Sequence, residues 1–283
     1  GWAVTCHDSV TTTEHFEDAY VGRRAAEWIE AIPDDFPWHL FVSFVGPHDP
    51  FDPPTEYADR YRNADMPAPV PANAENKARP YSNRSRDFAP EKVTETRRQY
   101  CAAIELIDDH VGMMLDALEA RGMLQNTIIV FASDHGEMLG DHGMYTKSVM
   151  YEGALRVPLI VAGPGVDGGR TSDALVELID VNPTLCELAG LPPQERIDAC
   201  SFGPVLRRAQ DDHRDCAVSA LRSCRCIRTQ RYKLIETYND AFELYDLETD
   251  PDEQHNVVAD HNDTFRRLRH RMAKRFAEGA WRH

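Results

Sequence analysis

The chain has 283 residues, with 31 Lys plus Arg against 47 Asp plus Glu and a net charge of −16, a balance that argues against a nucleic-acid or anionic-membrane partner. Apolar residues make up 42%, enough for a packed core, and the length suits one large or two modest domains. The longest apolar runs, Leu40 to Val45 and Thr127 to Ala132, fall far short of the ~18 residues that span a bilayer.

In chain order, Tyr20, Val21, Ala25, Trp28 and Ile29 predict a helix over Glu17 to Glu30, stopped by Pro33 and Pro37. The run Leu40 to Val45 then predicts a buried strand. From Pro47 to Pro90 prolines recur with little periodicity, which predicts an extended excursion over the surface. Tyr100, Ile104, Ile107, Val111, Met114, Leu115 and Leu118 step through a long helix that Gly122 closes. Its other face, Arg97, Arg98, Glu105, Asp108, Asp109 and Glu119, reads as a solvated stripe. Thr127 to Ala132 is β-branched and continuous, the pattern of a strand buried on both faces of a parallel sheet. Leu159 to Ala162 and Ala174 to Leu178 read as further strands, and Pro183 to Ala189 as a helix ended by Gly190. This alternation predicts an α/β fold, a layered and mainly parallel sheet flanked by helices.

After Pro204 the pattern changes. Ala217 to Leu221, Cys224 to Thr229, Tyr232 to Ile235 and Phe242 to Leu247 predict a small antiparallel sheet. Phe265, Leu268, Met272 and Phe276 predict a closing amphipathic helix that packs on it. The expected organisation is therefore an α/β core over 1–206 and a C-terminal α+β subdomain over 207–283. Seven cysteines without a C-x-x-C spacing favour reduced, structural thiols over a disulfide framework or zinc knuckle. In an extended segment Cys224 and Cys226 share a face.

The densest polar cluster, Ser133-Asp134-His135-Gly136-Glu137, follows the strongest predicted strand, where loops of open α/β sheets collect ligands. Asp134 offers oxygen and His135 nitrogen to a divalent metal, and Gly136 lets the backbone approach closely. The repeat Asp141-His142-Gly143 reads either as a second ligand group or, more simply, as a Gly-hinged loop bonded to local backbone. Lys147 lies 13 residues after Asp134, suited to an anionic substrate group as a point charge. His48, in Gly46-Pro47-His48-Asp49-Pro50-Phe51, sits in a proline-bracketed loop past the Leu40 to Val45 run and is the fourth candidate.

Those segments, together with Met138-Leu139-Gly140, Glu152-Gly153-Ala154-Leu155-Arg156-Val157-Pro158-Leu159, Tyr232-Lys233-Leu234 and Glu243-Leu244-Tyr245-Asp246-Leu247-Glu248-Thr249-Asp250-Pro251, resemble the later motifs of type I sulfatases. That family belongs to the alkaline phosphatase superfamily, which includes phosphonate monoester hydrolases. The resemblance implies an alkaline phosphatase-like fold and hydrolysis of a small anionic ester. It implies Asp134 and His135 as metal ligands for one divalent ion, Ca or Mn. It also implies Lys147 on the transferring sulfate, and His48 on the sulfate or the departing alkoxide. His135 stands where Asn is common in the family, a choice that shifts the balance from Ca towards Mn or another transition ion.

Family members also carry an upstream C/S-x-P/A-x-R motif whose Cys or Ser becomes formylglycine, the nucleophile. No cysteine here has Pro or Ala two residues on and Arg four on; Cys224-Arg225-Cys226-Ile227-Arg228 fails at its third position. The expectation is a later portion of a sulfatase whose formylglycine lies in a missing upstream segment, so that the chain alone is inactive. A sheet deprived of neighbours is further expected to leave an exposed edge that favours self-association.

Overall fold

A computed structural model describes residues 6–73, 75 and 77–280. The elements in order are α1 (Glu17–Ala31), α2 (Thr55–Tyr61), α3 (Arg79–Ser82), α4 (Pro90–Ala120), β1 (Ile129–Ala132), α5 (Glu152–Leu155), β2 (Leu159–Ala162), α6 (Val181–Leu188), α7 (Gly203–Leu206), β3 (Ala217–Ala220), β4 (Cys224–Arg228), β5 (Tyr232–Thr237), β6 (Phe242–Asp246) and α8 (Asn262–Ala280). They fall into two compact units, one built from Gly1–Pro69 and Asp87–Thr127, the other from Val70–Arg86 and Ile128–His283. Residues 207–283 lie wholly within the second.

The first unit is helical. Ala19 and Tyr57 pack with Ala102 and Leu106, flanked by Phe16 and Tyr61, and small side chains at this seam let helix backbones approach closely. Helix α4 begins with Pro90 at its first turn, where the missing N–H costs nothing. It ends as expected on Gly122 (φ 65°), with the Met123 N–H donating to Leu118 O at 2.9 Å. Its buried face matches the expected one in part: Ile107 and Leu118 are buried, but Ile104 is exposed, and Ala102, Leu106 and His110, outside the predicted set, are buried too. Arg97 leaves the solvated stripe too: it is buried and donates to Pro67 O at 2.8 Å.

Leu40 to Val45 forms no regular element and has no ladder partner among the described residues, and Phe41 is 81% exposed. What fixes its end is Asp18, buried on α1, whose carboxylate accepts the Val45 N–H at 2.7 Å and the Gly46 N–H at 2.9 Å. Burial pushes the Asp18 carboxyl up, an effect that these two hydrogen bonds partly offset.

In the second unit, β1 pairs antiparallel with β2, Ile129 opposite Ala162 and Ala132 opposite Leu159. The expected parallel strand buried on both faces is thus a half-covered hairpin-like pair among the described residues, with Ile160 60% exposed. A strand central to a parallel sheet has partners on both edges and helices over both faces; among the described residues β1 pairs only with β2. The expected strand at Ala174 to Leu178 is reduced to a single bridge between Leu175 and Arg214.

The C-terminal sheet follows expectation, an antiparallel meander in the order β3-β4-β5-β6. Alternation divides its side chains. Ile227, Leu234 and Leu244 face Leu268 and Met272 of α8, the predicted amphipathic packing. Cys224, Cys226, Ile235 and Tyr245 face Met138, Met144, Met150, Tyr151 and Ala154, so both cysteines are core residues on one face. This second core also takes Ala78 and Tyr81, which corrects the surface reading of Pro47 to Pro90. An aperiodic proline-rich segment gives no pattern by which to see that side chains such as Phe51, Tyr57, Ala78 and Tyr81 are buried. Among the described residues no helix is long and apolar enough to cross a membrane.

Candidate active site

The loop after β1 is held rigid by short-range bonds. Ser133 Oγ donates to His135 O at 2.7 Å, and the His135 N–H donates to Asp134 Oδ1 at 2.9 Å. His135 Nδ1 lies 2.9 Å from Gly136 O. A carbonyl only accepts, so Nδ1 carries the proton, and in the neutral ring Nε2 keeps its lone pair. That Nε2 stands 3.5 Å from Asp134 Oδ2. Two electron-rich atoms facing each other at this separation suit a shared cation or a protonated ring. The Asp134 side chain is 85% exposed, open to an incoming ion.

Gly136 fastens this loop to α5. Its N–H donates to Ala154 O at 2.8 Å, and a Cβ there would lie 2.0 Å from Gly153 O. The obstacle is backbone and cannot rotate away. Gly136→Ala is therefore expected to destabilise the second unit by about 1–3 kcal/mol and to weaken divalent-metal binding, measured by urea unfolding and calorimetric titration. Unchanged values for both would show that the loop yields freely.

Asp134, His135 and Lys147 line one open cavity of about 1610 Å³, together with Glu152 and Arg228. These three predicted site residues thus line the same cavity. The Lys147 loop is tied to the Asp134 loop by Glu137, whose Oε1 accepts the Thr146 N–H and, at 3.3 Å, the Leu139 N–H. Glu152 is held from behind: Lys233 Nζ is 2.8 Å and Arg228 Nε 3.3 Å from its Oε1. Burial works to raise the Glu152 pKa, but these two cations outweigh it and hold the carboxyl below its usual range.

His48 belongs to the first unit. Its Nδ1 lies 2.7 Å from Asp49 O, so it too carries the Nδ1 proton and presents Nε2 as the base in its neutral form.

Asp141-His142-Gly143 takes its structural role. Asp141 Oδ1 accepts the Val70 N–H at 2.8 Å and the His142 N–H donates to Val70 O at 2.9 Å. His142 is buried and stacked on Tyr151, ring centroids 4.6 Å apart. Gly143 has φ 67° and sits against Arg86 O, where a Cβ would be 2.3 Å away. A further trio of donor types, Asp180, Cys200 and His213, was not singled out by sequence. Its donor atoms lie within 4.8 Å of one another. Arg214 already grips both Asp180 oxygens, its Nε 2.6 Å from Oδ2, so the buried carboxylate is neutralised without a metal ion.

Sequence reasoning missed the bonds that Glu137 makes, the role of Asp18 and the Lys233 contact to Glu152. Each acts through a partner 9 to 81 residues distant along the chain, a separation that periodicity does not encode.

Residues 7–191 match the family described as Sulfatase, and residues 140–280 match the region described as N-sulphoglucosamine sulphohydrolase, C-terminal. The chain belongs to the sulfatase family. It is 35% identical over 238 residues to a choline-sulfatase of Rhizobium meliloti, covering 78% of this chain and 46% of that protein. It is 34% identical over 242 residues to an arylsulfatase of Clostridium perfringens, covering 78% and 49%. Its fold superposes on the phosphonate monoester hydrolase of Agrobacterium radiobacter with a TM-score of 0.84 at 26% identity, covering 96% of this chain and 62% of that one. The chain thus spans about half the length of these curated relatives. Sulfatases as a family use a metal, and the α/β class with a small antiparallel sheet is the family's own.

Proposed function

We propose that this chain supplies the cation-binding and oxyanion-binding part of a sulfuric ester hydrolase. The observation that carries the reading is the shared cavity: Asp134, His135 and Lys147 line one wall space, with the His135 ring turned so that Nε2 adjoins the Asp134 carboxylate. A carboxylate oxygen with an imidazole nitrogen fits a divalent ion, Mn or another transition ion better than Ca. Further ligands would come from other residues, since such ions want about six donors. When bound, the ion would polarise the ester and offset charge on its departing oxygen.

Lys147 brings a compact positive charge whose attraction grows as negative charge builds on the transferring group, so it favours the transition state over the ground state. His48, by family resemblance, contacts the sulfate or delivers a proton to the leaving alkoxide. The substrate class is a small anionic ester. The C/S-x-P/A-x-R motif is absent from residues 1–283, so a formylglycine nucleophile would come from outside them and this chain assayed alone is expected to show no turnover.

Calorimetric titration of the 283-residue chain with Mn²⁺ tests the cation site. The double substitution Asp134→Ala, His135→Ala is expected to lower affinity by at least about tenfold. Lys147→Ala should leave Mn²⁺ affinity intact and weaken inorganic sulfate by about tenfold. Equal Mn²⁺ binding by the chain and the double variant removes the reading. A second reading, hydrolysis of a phosphonate or phosphate ester, draws support from the 26% identical phosphonate monoester hydrolase. Parallel kinetics on aryl sulfate and aryl phosphonate esters with the complete protein separate the two.

A further inference from the structure

The loop that carries Lys147 has an unusual backbone. Thr146 has φ 66° and Ser148 φ 72°, left-handed values that are costly for any side chain and most of all for a β-branched threonine. Such a conformation persists only where its surroundings dictate it. One side chain reaches all four residues of the loop. Arg84 Nη2 donates to Tyr145 O at 3.1 Å, to Thr146 Oγ1 at 3.3 Å and to Lys147 O at 2.8 Å, and Nη1 donates to Ser148 O at 3.1 Å.

Arg84 is itself well seated. Its N–H donates to the carbonyl of buried Tyr81 at 3.0 Å. Its neighbours tie the same segment to the Asp141 turn: Ser85 Oγ donates to His142 O at 2.7 Å and the Arg86 N–H to Gly143 O at 2.8 Å. On the opposite side, Glu137 accepts the Thr146 N–H and the Met138 N–H donates to Thr146 O at 3.2 Å. The loop is therefore gripped by a guanidinium from one side and by the Asp134 loop from the other.

We infer that Arg84 is a positioning residue: its planar fork holds the 145–148 loop, with Thr146 and Ser148 in the left-handed region, and so fixes where the Lys147 ammonium meets an oxyanion. The inference rests on the reading of Lys147 as the sulfate contact. A planar fork with donors in fixed directions can bridge several carbonyls at once, whereas a lysine offers one point. Arg84→Lys keeps the charge and removes the fork, and is the informative substitution.

The test uses the 283-residue chain loaded with Mn²⁺, inorganic sulfate as the probe, and amide hydrogen exchange across residues 144–149. In Arg84→Lys, exchange in the loop is expected to rise about tenfold and sulfate affinity to fall about fivefold, with Mn²⁺ affinity and melting temperature close to those of the parent chain. Added to Lys147→Ala, the same change should cost no further sulfate affinity, because Arg84 acts through the lysine. Arg84→Gln, which keeps a planar amide and loses the charge, guards against a folding defect peculiar to lysine and should give the same loop exchange. Unchanged loop exchange overturns the inference, as does a full additional loss on the Lys147→Ala background, which would make Arg84 a direct anion contact. Sulfate binding insensitive to Lys147→Ala overturns the reading of Lys147 and the positioning role with it, whatever the exchange shows. Sulfate binding that depends on Lys147 but ignores Arg84→Lys overturns the positioning role alone.

Discussion

Replacing Lys233 by methionine is expected to destabilise the second unit by about 3–5 kcal/mol. Lys233 is 0% exposed, and its Nζ lies 2.6 Å from Glu253 Oε1 and 2.8 Å from Glu152 Oε1. Burial alone would discharge the amine, yet the two carboxylates prevail and raise its pKa. Methionine fills the space and leaves two acids without their common cation. Glu152 retains Arg228, but buried Glu253, which burial already pushes up, has Lys233 as its principal compensating charge. The loss should therefore fall mainly on Glu253, and adding Glu253→Gln to Lys233→Met should restore a large part of it, because an amide tolerates burial far better than an unpaired carboxylate. The effect should extend to the site: Glu253 Oε2 accepts the Glu152 N–H at 2.7 Å, and α5 in turn receives the Gly136 loop. Urea unfolding of both single variants and the double gives the coupling. A single-variant loss below about 1 kcal/mol would mean that water reaches these acids.

Whether a residue could be found from sequence depended on how far away its partner lies. Asp134 and His135 were legible because a β-branched run, a polar cluster and a glycine are contiguous. The bonds that orient them also lie within three residues. The C-terminal meander and α8 were legible for a similar reason, since alternation along β4 and β5 and the spacing of Phe265, Leu268 and Met272 each report one buried face. Leu40 to Val45 misled because apolar composition states what a segment can bury and not what it pairs with; here it forms no strand and leaves Phe41 in solvent. Arg84 was hidden for the opposite reason. It sits in a proline-rich stretch without periodicity, and its four acceptors are 61 to 64 residues further on. The two Asp-His-Gly copies show the limit most directly. Identical triplets seven residues apart have opposite fates, one open to a cavity and one sealed against Tyr151, because only the second has Lys77 and Tyr151 closing over its ring.

That sealed histidine has a consequence for acid stability. His142 is 4% exposed, and its Nδ1 lies 3.3 Å from Lys77 Nζ and 3.2 Å from Gln254 Nε2. Two donors aimed at one nitrogen make it an acceptor, so the native ring is neutral with its proton on Nε2. Burial, reinforced by the charges of Lys77 and Lys233, lowers its pKa from 6.5 to about 3. Between those values the unfolded chain takes up a proton that the native protein refuses, so stability rises with pH across this window and is lost as pH falls from about 6.5 towards 3. From pH 7 to pH 4 the loss attributable to this one ring is about 3 kcal/mol. Carboxylates held below their usual range, Asp180 and Glu152 among them, steepen the same limb, so the contribution of His142 has to be read as a difference. His142→Gln keeps a side chain able to accept from Lys77 and cannot be protonated. It is expected to be less stable than the parent at pH 7, with the gap narrowing by about 3 kcal/mol at pH 4. A gap independent of pH, or a His142 ring that titrates near 6.5 by NMR, would show that the imidazole is hydrated and that the stack on Tyr151 opens readily to water.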